Sequence, residues 1–138
     1  MNSKTVYALD ANIISFFLKK IGGIDKAITR VLMQGASIRI APTAYYEVKR
    51  GLVYVKAFRQ IQVFEDFCTR FGVGKLDIPI LSVAADIYSD LRTKGKLIED
   101  ADILAAAYCL YHEFTLVTNN TKHFINIEGL NKVDWANE

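Results

Sequence analysis

Along this chain, continuously apolar runs alternate with segments whose apolar residues recur every three or four positions. That alternation is typical of strands and helices that follow one another in βαβ units, and it predicts an α/β fold with a mostly parallel sheet. The first predicted strand, residues 5–9, is apolar throughout, as expected of a strand that helices cover on both faces. Further strands are predicted at 37–41, 76–81, 115–118 and 131–135, and helices at 12–20, 24–34, 55–71, 82–94 and 101–111, with one more helix opening at Pro42-Thr43.

Three residues in the middle of the chain carry local structural predictions, two as helix caps and one as a proline within a strand. Thr43 and Ser82 are each predicted to cap a helix, because a hydroxyl side chain can accept a hydrogen bond from a free amide of the first turn. Pro79 lies within the predicted strand 76–81. Proline cannot donate to a strand ladder, so this strand is expected at a sheet edge.

Length and composition limit the class of protein. With 138 residues, of which 51% are hydrophobic and 23% charged, the chain is expected to form one globular domain that spans residues 1–138. No apolar run approaches the ~20 residues needed to cross a bilayer, and the first residues lack the features of a signal peptide. Cys68 and Cys109 lie far apart in apolar segments, which favours reduced core thiols. We therefore expect a cytoplasmic protein with no membrane partner.

The apolar share of the sequence also bears on assembly. Large exposed apolar patches are uncommon on monomers, so the excess of hydrophobic residues indicates a buried interface with a second subunit or a partner protein. The net charge of +2 is too small to indicate nucleic-acid binding by itself. Evidence for such binding must come from local clusters of charge.

Acidic and amide side chains follow the predicted strands or begin the predicted helices. Asp10 comes directly after the first strand, at the end where open parallel sheets bind ligands, although an Asp there also suits a helix cap. Glu47 lies one turn into its helix and is suited either to a functional site or to a structural ion pair with Arg50. Asn119 and Asn120 follow a later strand and also suit a turn.

Three acids crowd the start of the apolar helix predicted at 101–111. Glu99, Asp100 and Asp102 would complement the helix dipole, but like charges so close together repel unless something positive lies among them. Carboxylate and amide oxygens without His or Cys ligands suit Mg²⁺ or Mn²⁺. The two histidines, His112 and His123, are not placed as a metal-ligand pair.

At these residues the chain resembles the PIN-domain family, and within it the VapC ribonuclease toxins of VapBC toxin–antitoxin systems. The segment VYALDANIIS resembles the family's opening strand with its Asp, and AYYEVKRG resembles the helical Glu followed four residues later by Gly. The stretch from GKLIEDADIL to NKVDW resembles the closing block: an Asp that opens an Ala-rich helix, an LVT strand, an Asn or Asp, and a final Trp. The resemblance covers nearly the whole chain.

The resemblance implies a PIN-like three-layer fold, a central mostly parallel twisted sheet flanked by helices. It also implies a Mg²⁺- or Mn²⁺-dependent endoribonuclease that hydrolyses phosphodiester bonds in tRNA or ribosomal RNA. A homodimer and a VapB-type antitoxin, whose tail enters the site, belong to the same expectation. The residues that the resemblance makes catalytic are Asp10, Glu47, Asp102 and Asn120, with Asp10, Asp102, Glu47 and Asp100 as metal ligands.

The sequence departs from the family pattern at Ala11, where a Thr or Ser usually follows the first Asp. A hydroxyl that orients Asp10 or supports the water shell of the metal is therefore missing at this position. Substrate contacts are expected from residues near the acids, where cations can meet phosphates without reading the RNA sequence. These residues are Asn12, Lys49, Arg50, Thr118, Asn119 and Lys122.

Other functions remain open on the sequence alone. A haloacid-dehalogenase-type phosphatase needs a second Asp two residues after the first, and Asn12 stands there. A response-regulator receiver domain needs paired acids after the first strand, where this chain has Leu9-Asp10. One alternative remains open: a PIN domain with weakened catalysis that binds RNA or protein. Ala11 and Asn120 are both consistent with this alternative.

Overall fold

The computed structural model describes residues 5–137. The described residues form one parallel sheet with the strand order β2-β1-β3-β4, and α-helices pack on both of its faces. The predicted three-layer α/β fold is confirmed. The strands are β1 Val6–Leu9, β2 Ser37–Ile40, β3 Thr115–Val117 and β4 Asn131–Val133, and the helices are α1 Ala11–Leu18, α2 Ile24–Met33, α3 Pro42–Tyr54, α4 Phe58–Phe71, α5 Ile78–Thr93 and α6 Asp100–His112, followed by a 3₁₀ helix at Thr121–Phe124.

Neighbouring residues of the central strands serve two separate cores, because successive side chains of a strand point to opposite faces. Leu9 belongs to the core formed with helices α1 to α4, and its neighbour Ala8 belongs to the core formed with α5 and α6. In the same way Val117 and Leu116 of β3 are both fully buried, on opposite faces. This explains why the first strand is apolar at every position.

The prediction of a strand at 76–81 is wrong. Helix α5 already begins at Ile78, and Asp77 caps it by accepting a hydrogen bond from the Ile80 amide at 3.3 Å. Pro79 lies in the first turn of α5, where a missing N–H costs nothing and its fixed φ suits the helix. Ser82 is therefore an interior residue of α5 and not its cap.

The predicted capping role of Thr43 is also wrong. Helix α3 begins one residue earlier, at Pro42, and its N-cap residue is Ala41. The Thr43 hydroxyl donates instead to the Ala101 carbonyl at 3.0 Å. This bond ties the start of α3 to the start of α6, the two helices that carry Glu47 and Asp102.

The ends of β1 and β3 lie side by side at the carboxyl edge of the sheet. Leu9 is in register with Val117, and the Asp10 amide donates to the Val117 carbonyl at 2.9 Å. Asp10 and Thr118, which follow these strands, are consequently neighbours.

Elsewhere the structure confirms that Cys68 and Cys109 are free and buried. Within residues 5–137, no helix has the length and apolar character to span a membrane.

Candidate active site

A cavity of about 220 Å³ opens at the carboxyl edge of the sheet, and we call it the acidic cavity. It gathers residues from the end of β1, from α3, from the start of α6 and from the segment after β3. The four residues expected to be catalytic all lie in its wall. The lining residues are Asp10, Ala11, Asn12, Glu47, Glu99, Asp102, Asn120, His123 and Phe124.

Asp10 is the most deeply buried acid of the cavity, with 8% of the residue exposed. One carboxylate oxygen accepts from the Ala11 amide at 2.9 Å, and the other accepts from the Thr118 hydroxyl at 3.0 Å. Burial raises the pKa of Asp10, and the two hydrogen bonds oppose that rise. Asp10 is thus both the N-cap of α1 and a member of the site, so the two interpretations of this residue hold together.

Thr118 holds Asp10 from the neighbouring strand end. Its side chain is fully buried, and its hydroxyl both donates to Asp10 and accepts from the Asn120 amide at 3.1 Å. Thr118 therefore does not line the cavity but supports it from behind. A residue distant in sequence thus provides a hydroxyl that orients the Asp10 carboxylate.

Glu47 and Asp102 share the cavity with Asp10, and the pKa of each is raised. The pKa of Glu47 is raised by burial and then by the charges of Asp10 and Asp102. The pKa of Asp102 is raised by burial and then by Asp10. Glu47 and Arg50 form no direct ion pair: the Arg50 guanidinium lies over the Tyr46 ring, 5.1 Å from its centroid, and its charge only partly opposes the rise in the pKa of Glu47.

His123 is a member of the cavity that the sequence did not indicate. Its Nδ1 lies 3.1 Å from Asp102 Oδ2, and a protonated imidazole there opposes the rise in the pKa of both Asp102 and Asp10. Glu99 also lines the cavity, although only Asp100 and Asp102 were expected from this acidic cluster. Nothing in the chain around His123 signalled the contact, since the partner lies on a different element.

The donor set fits a hard divalent cation in its chemistry. Four carboxylates and the amide of Asn120 provide oxygen ligands, which Mg²⁺ and Mn²⁺ prefer. The pKa values of Glu47 and Asp102 are raised by burial and by the charge of neighbouring acids. Across residues 5–137, however, no three His, Cys, Asp or Glu side chains are already arranged to hold a metal ion. Binding would therefore have to draw these side chains closer together.

Several residues expected at the site lie elsewhere. Asp100 lines a separate, largely apolar cavity with Leu81 and Tyr88, on another face of α6. Lys49 forms an ion pair with Glu65 of α4, to which Tyr45 also donates. Lys122 is exposed on the 3₁₀ helix and does not line the cavity.

Two amides lie at the mouth of the cavity. Asn12, which lines it, donates through Nδ2 to Asn119 Oδ1 at 3.2 Å. This bond joins the start of α1 to the segment after β3, and it leaves further amide donors and acceptors free for a ligand.

The chain is similar to known proteins in both sequence and structure. No family model matches the chain. Ribonuclease VapC2 of Rickettsia felis is 27% identical over 131 residues, which are 94% of this chain and 98% of that protein. The tRNA(fMet)-specific endonuclease VapC of Shigella flexneri is 28% identical over 78 residues, 56% of this chain and 59% of that protein.

Solved structures with a similar fold come from the same group of proteins. A chain of the Rickettsia felis VapBC2 complex, bound to a promoter DNA fragment, superposes with a TM-score of 0.85 at 25% identity and covers 95% of this chain and 99% of that one. A chain of DNA-bound VapBC from Salmonella typhimurium superposes with a TM-score of 0.84 at 25% identity, over 95% and 98% of the two chains. The resemblance stated from the sequence motifs is confirmed.

Proposed function

We propose that this chain, a VapC-like PIN-domain protein, is an endoribonuclease toxin that a VapB-type antitoxin neutralises. The observation that carries the proposal is the acidic cavity, which gathers Asp10, Glu47, Asp102 and Asn120 from four separate parts of the chain. Its position at the carboxyl edge of a parallel sheet is the usual place of a ligand site in this class of fold. The likeness to VapC ribonucleases over nearly the whole chain supports the same function.

We further propose that Mg²⁺ or Mn²⁺ binds in the acidic cavity. Such an ion supplies an activated water and neutralises the negative charge that develops on a phosphodiester. Asp10, which two hydrogen bonds hold in place, and Asp102, which is held by one, would be its principal ligands. Glu47 has no hydrogen-bond partner among the described residues, so its carboxylate is free to turn toward the ion or its water.

The rest of the cavity would orient the RNA. Asn120 lines the cavity as an amide, which can support a water or a phosphate oxygen without adding a further negative charge. Asn12 and Asn119 would contact the RNA at the mouth of the cavity. Among the expected cations, Arg50 and Lys122 remain proposed phosphate contacts, whereas the ion pair with Glu65 holds Lys49 elsewhere.

The proposed substrate is tRNA or ribosomal RNA. A relative named as a tRNA(fMet)-specific endonuclease supports tRNA, but it matches only about half of this chain. The cavity is small and lined by acids, so a folded RNA would reach it only with an exposed loop. Selection between RNAs would therefore come from the surface around the cavity.

Two protein partners complete the proposal. The solved relatives are VapBC complexes, which supports a VapB-type antitoxin here. Exposed apolar side chains on α3, α4 and α5 support a homodimer, because such side chains gain from burial between subunits. Both encounters are proposed for the cytoplasm, where the two free cysteines would stay reduced. The most exposed of these apolar residues are Tyr54, Phe58 and Ile78.

Cleavage of a total tRNA and ribosomal RNA pool tests the function directly. Purified protein is incubated with Mg²⁺ or Mn²⁺, with EDTA as a control, beside an Asp10→Asn variant whose fold is checked by circular dichroism. We expect discrete cuts that EDTA prevents and that the variant fails to make. Sequencing of the fragment ends would identify the RNA and the bond.

A weakened PIN module is the second candidate. It is favoured by the absence, across residues 5–137, of three ligands already arranged for a metal, together with Ala11 and Asn120. The same assay separates the two. RNA that is retained by the folded protein but never cut, with either metal, would identify a binding module and rule out the nuclease.

A further inference from the structure

A histidine and an acid meet across the acidic cavity from two distant parts of the chain. Asp102 stands in the first turn of α6, with 17% of its side chain exposed, and His123 stands on the 3₁₀ helix after β3. The contact joins His123 Nδ1 to Asp102 Oδ2 at 3.1 Å. It is the one polar contact of the Asp102 carboxylate among the described residues.

The two principal acids of the cavity are held in different ways. Both oxygens of Asp10 accept hydrogen bonds, from the Ala11 amide and from the Thr118 hydroxyl. Asp102 has a partner at Oδ2 alone, and its Oδ1 is without one in the described part of the chain. Without His123, no hydrogen bond within residues 5–137 would orient the Asp102 carboxylate.

We infer that His123 is a positioning residue for the cation site: its Nδ1–H donates to Asp102 Oδ2 and thereby keeps Oδ1 available as a ligand. Hydrogen bonds behind a ligating group commonly set its orientation and affect metal affinity about 10–100-fold. The inference rests on the proposed metal site. Because the second imidazole nitrogen is not needed for this role, an amide that donates from the same place should replace the histidine.

The test is the affinity of the purified full chain for Mn²⁺, measured by isothermal titration calorimetry without RNA. His123→Ala removes the donor, and His123→Asn keeps one, since the Asn Nδ2 is attached to Cγ as Nδ1 is in histidine. His112→Ala is the matched control, because His112 is the other histidine of the chain and packs on Phe114 outside the cavity. Circular dichroism and thermal unfolding verify the fold of each variant.

We expect Mn²⁺ affinity to fall about 10-fold or more in His123→Ala and to return to within roughly a factor of three in His123→Asn. His112→Ala should bind as the unmodified chain does. An affinity that is equal or higher in His123→Ala would overturn the inference, since His123 would then compete with the cation for Asp102. An equal loss in His123→Asn would overturn it too, because a donor at that place would not suffice. A complete lack of binding by the unmodified chain would instead overturn the proposed metal site itself.

Discussion

Two charged regions lie on opposite sides of helix α3, and the same residue type behaves differently in each. In the acidic cavity, burial and the charges of Asp10 and Asp102 raise the pKa of Glu47. In the cluster of Tyr45, Lys49 and Glu65, hydrogen bonds from Lys49 and Tyr45 lower the pKa of Glu65. We call this second group the Glu65 cluster.

The difference separates a structural arrangement of charge from the arrangement that we propose to be functional. In the Glu65 cluster the carboxylate is paired with a cation and also accepts from the Tyr45 hydroxyl, so the cluster stabilises the contact between α3 and α4. The acidic cavity keeps several carboxylates together with one histidine, at a cost in stability that a bound cation would remove. Acids held together without matching cations are typical of functional sites.

The largest expected difference between the two regions is in RNA cleavage. Asp102→Asn should reduce the cleavage rate at least ~100-fold, because it removes a proposed ligand and its charge. Glu65→Gln should leave the rate unchanged within about a factor of two, since Glu65 lies outside the cavity. Single-turnover cleavage of the RNA identified from the pool measures both.

Asp100→Asn is the closest control for Asp102→Asn, since the two acids are two residues apart on α6 and only Asp102 lines the cavity. We expect Asp100→Asn to cleave at the normal rate. Equal losses of cleavage rate in the two variants would show that the negative charge at the start of α6 matters and that the position of the acid in the cavity does not.

Asp100 and Asp102 also show what sequence patterns can and cannot decide. The pattern placed acids at the start of the buried helix, and the structure confirms that helix as α6. Two residues apart on a helix means roughly 200° of rotation, so only one of the two can face a given cavity. Which one faces it depends on how α6 packs against α3 and α5, and the local sequence pattern does not determine that packing.

The second expected difference concerns the hydroxyl groups behind the acids. Thr118→Val should lower the free energy of unfolding by about 1–3 kcal/mol, because it leaves a buried Asp10 oxygen and the Asn120 amide without their partner. Tyr45→Phe should cost only about 0.5 kcal/mol, since water can replace the Tyr45 hydroxyl at the partly exposed Glu65. Urea unfolding of the two variants provides the comparison, and equal costs would contradict the different roles of the two hydroxyls.

Errors in the predicted elements have a local physical cause. The run 76–81 is short and apolar with a proline, a composition that both a strand and a helix start accept. In the structure Asp77 caps α5 and Pro79 lies in its first turn. An Asp followed two residues later by Pro is a recognisable helix start, so the sequence also contained the evidence for a helix here. Thr43 and His123 differ from this case, because their partners Ala101 and Asp102 are distant in sequence and only the fold brings them together.

The smallest expected difference is in stability and its dependence on pH. Glu47→Gln should raise the free energy of unfolding at pH 7 by roughly 0.5 kcal/mol, because it removes a carboxylate that burial and its neighbours disfavour. Glu65→Gln should lower it by a similar amount of about 0.5 kcal/mol, discounted for the partial exposure of the pair.

The sign of each effect with pH follows from the direction of the pKa shift. The folded pKa of Glu47 lies above its unfolded value, so the gain in Glu47→Gln should be absent at low pH and appear as pH rises through the raised pKa. The folded pKa of Glu65 is lowered, so the cost of Glu65→Gln should be full at neutral pH and vanish as pH falls through that lowered pKa. Unfolding curves from acidic to neutral pH that ran in the same direction for both variants would contradict the contrast.

The most direct test of the acidic cavity as a cation site is thermal unfolding at neutral pH with and without Mn²⁺, for the unmodified chain and for Asp10→Asn. At a Mn²⁺ concentration about 100 times the dissociation constant, binding to the folded state adds about 2.7 kcal/mol and should raise the Tm of the unmodified chain by roughly 5–10 °C. Asp10→Asn, which lacks the acid most firmly held in the cavity, should show little or no rise. An unmodified chain whose Tm does not respond to Mn²⁺, or a variant that responds equally, would contradict the proposal that these acids hold the metal.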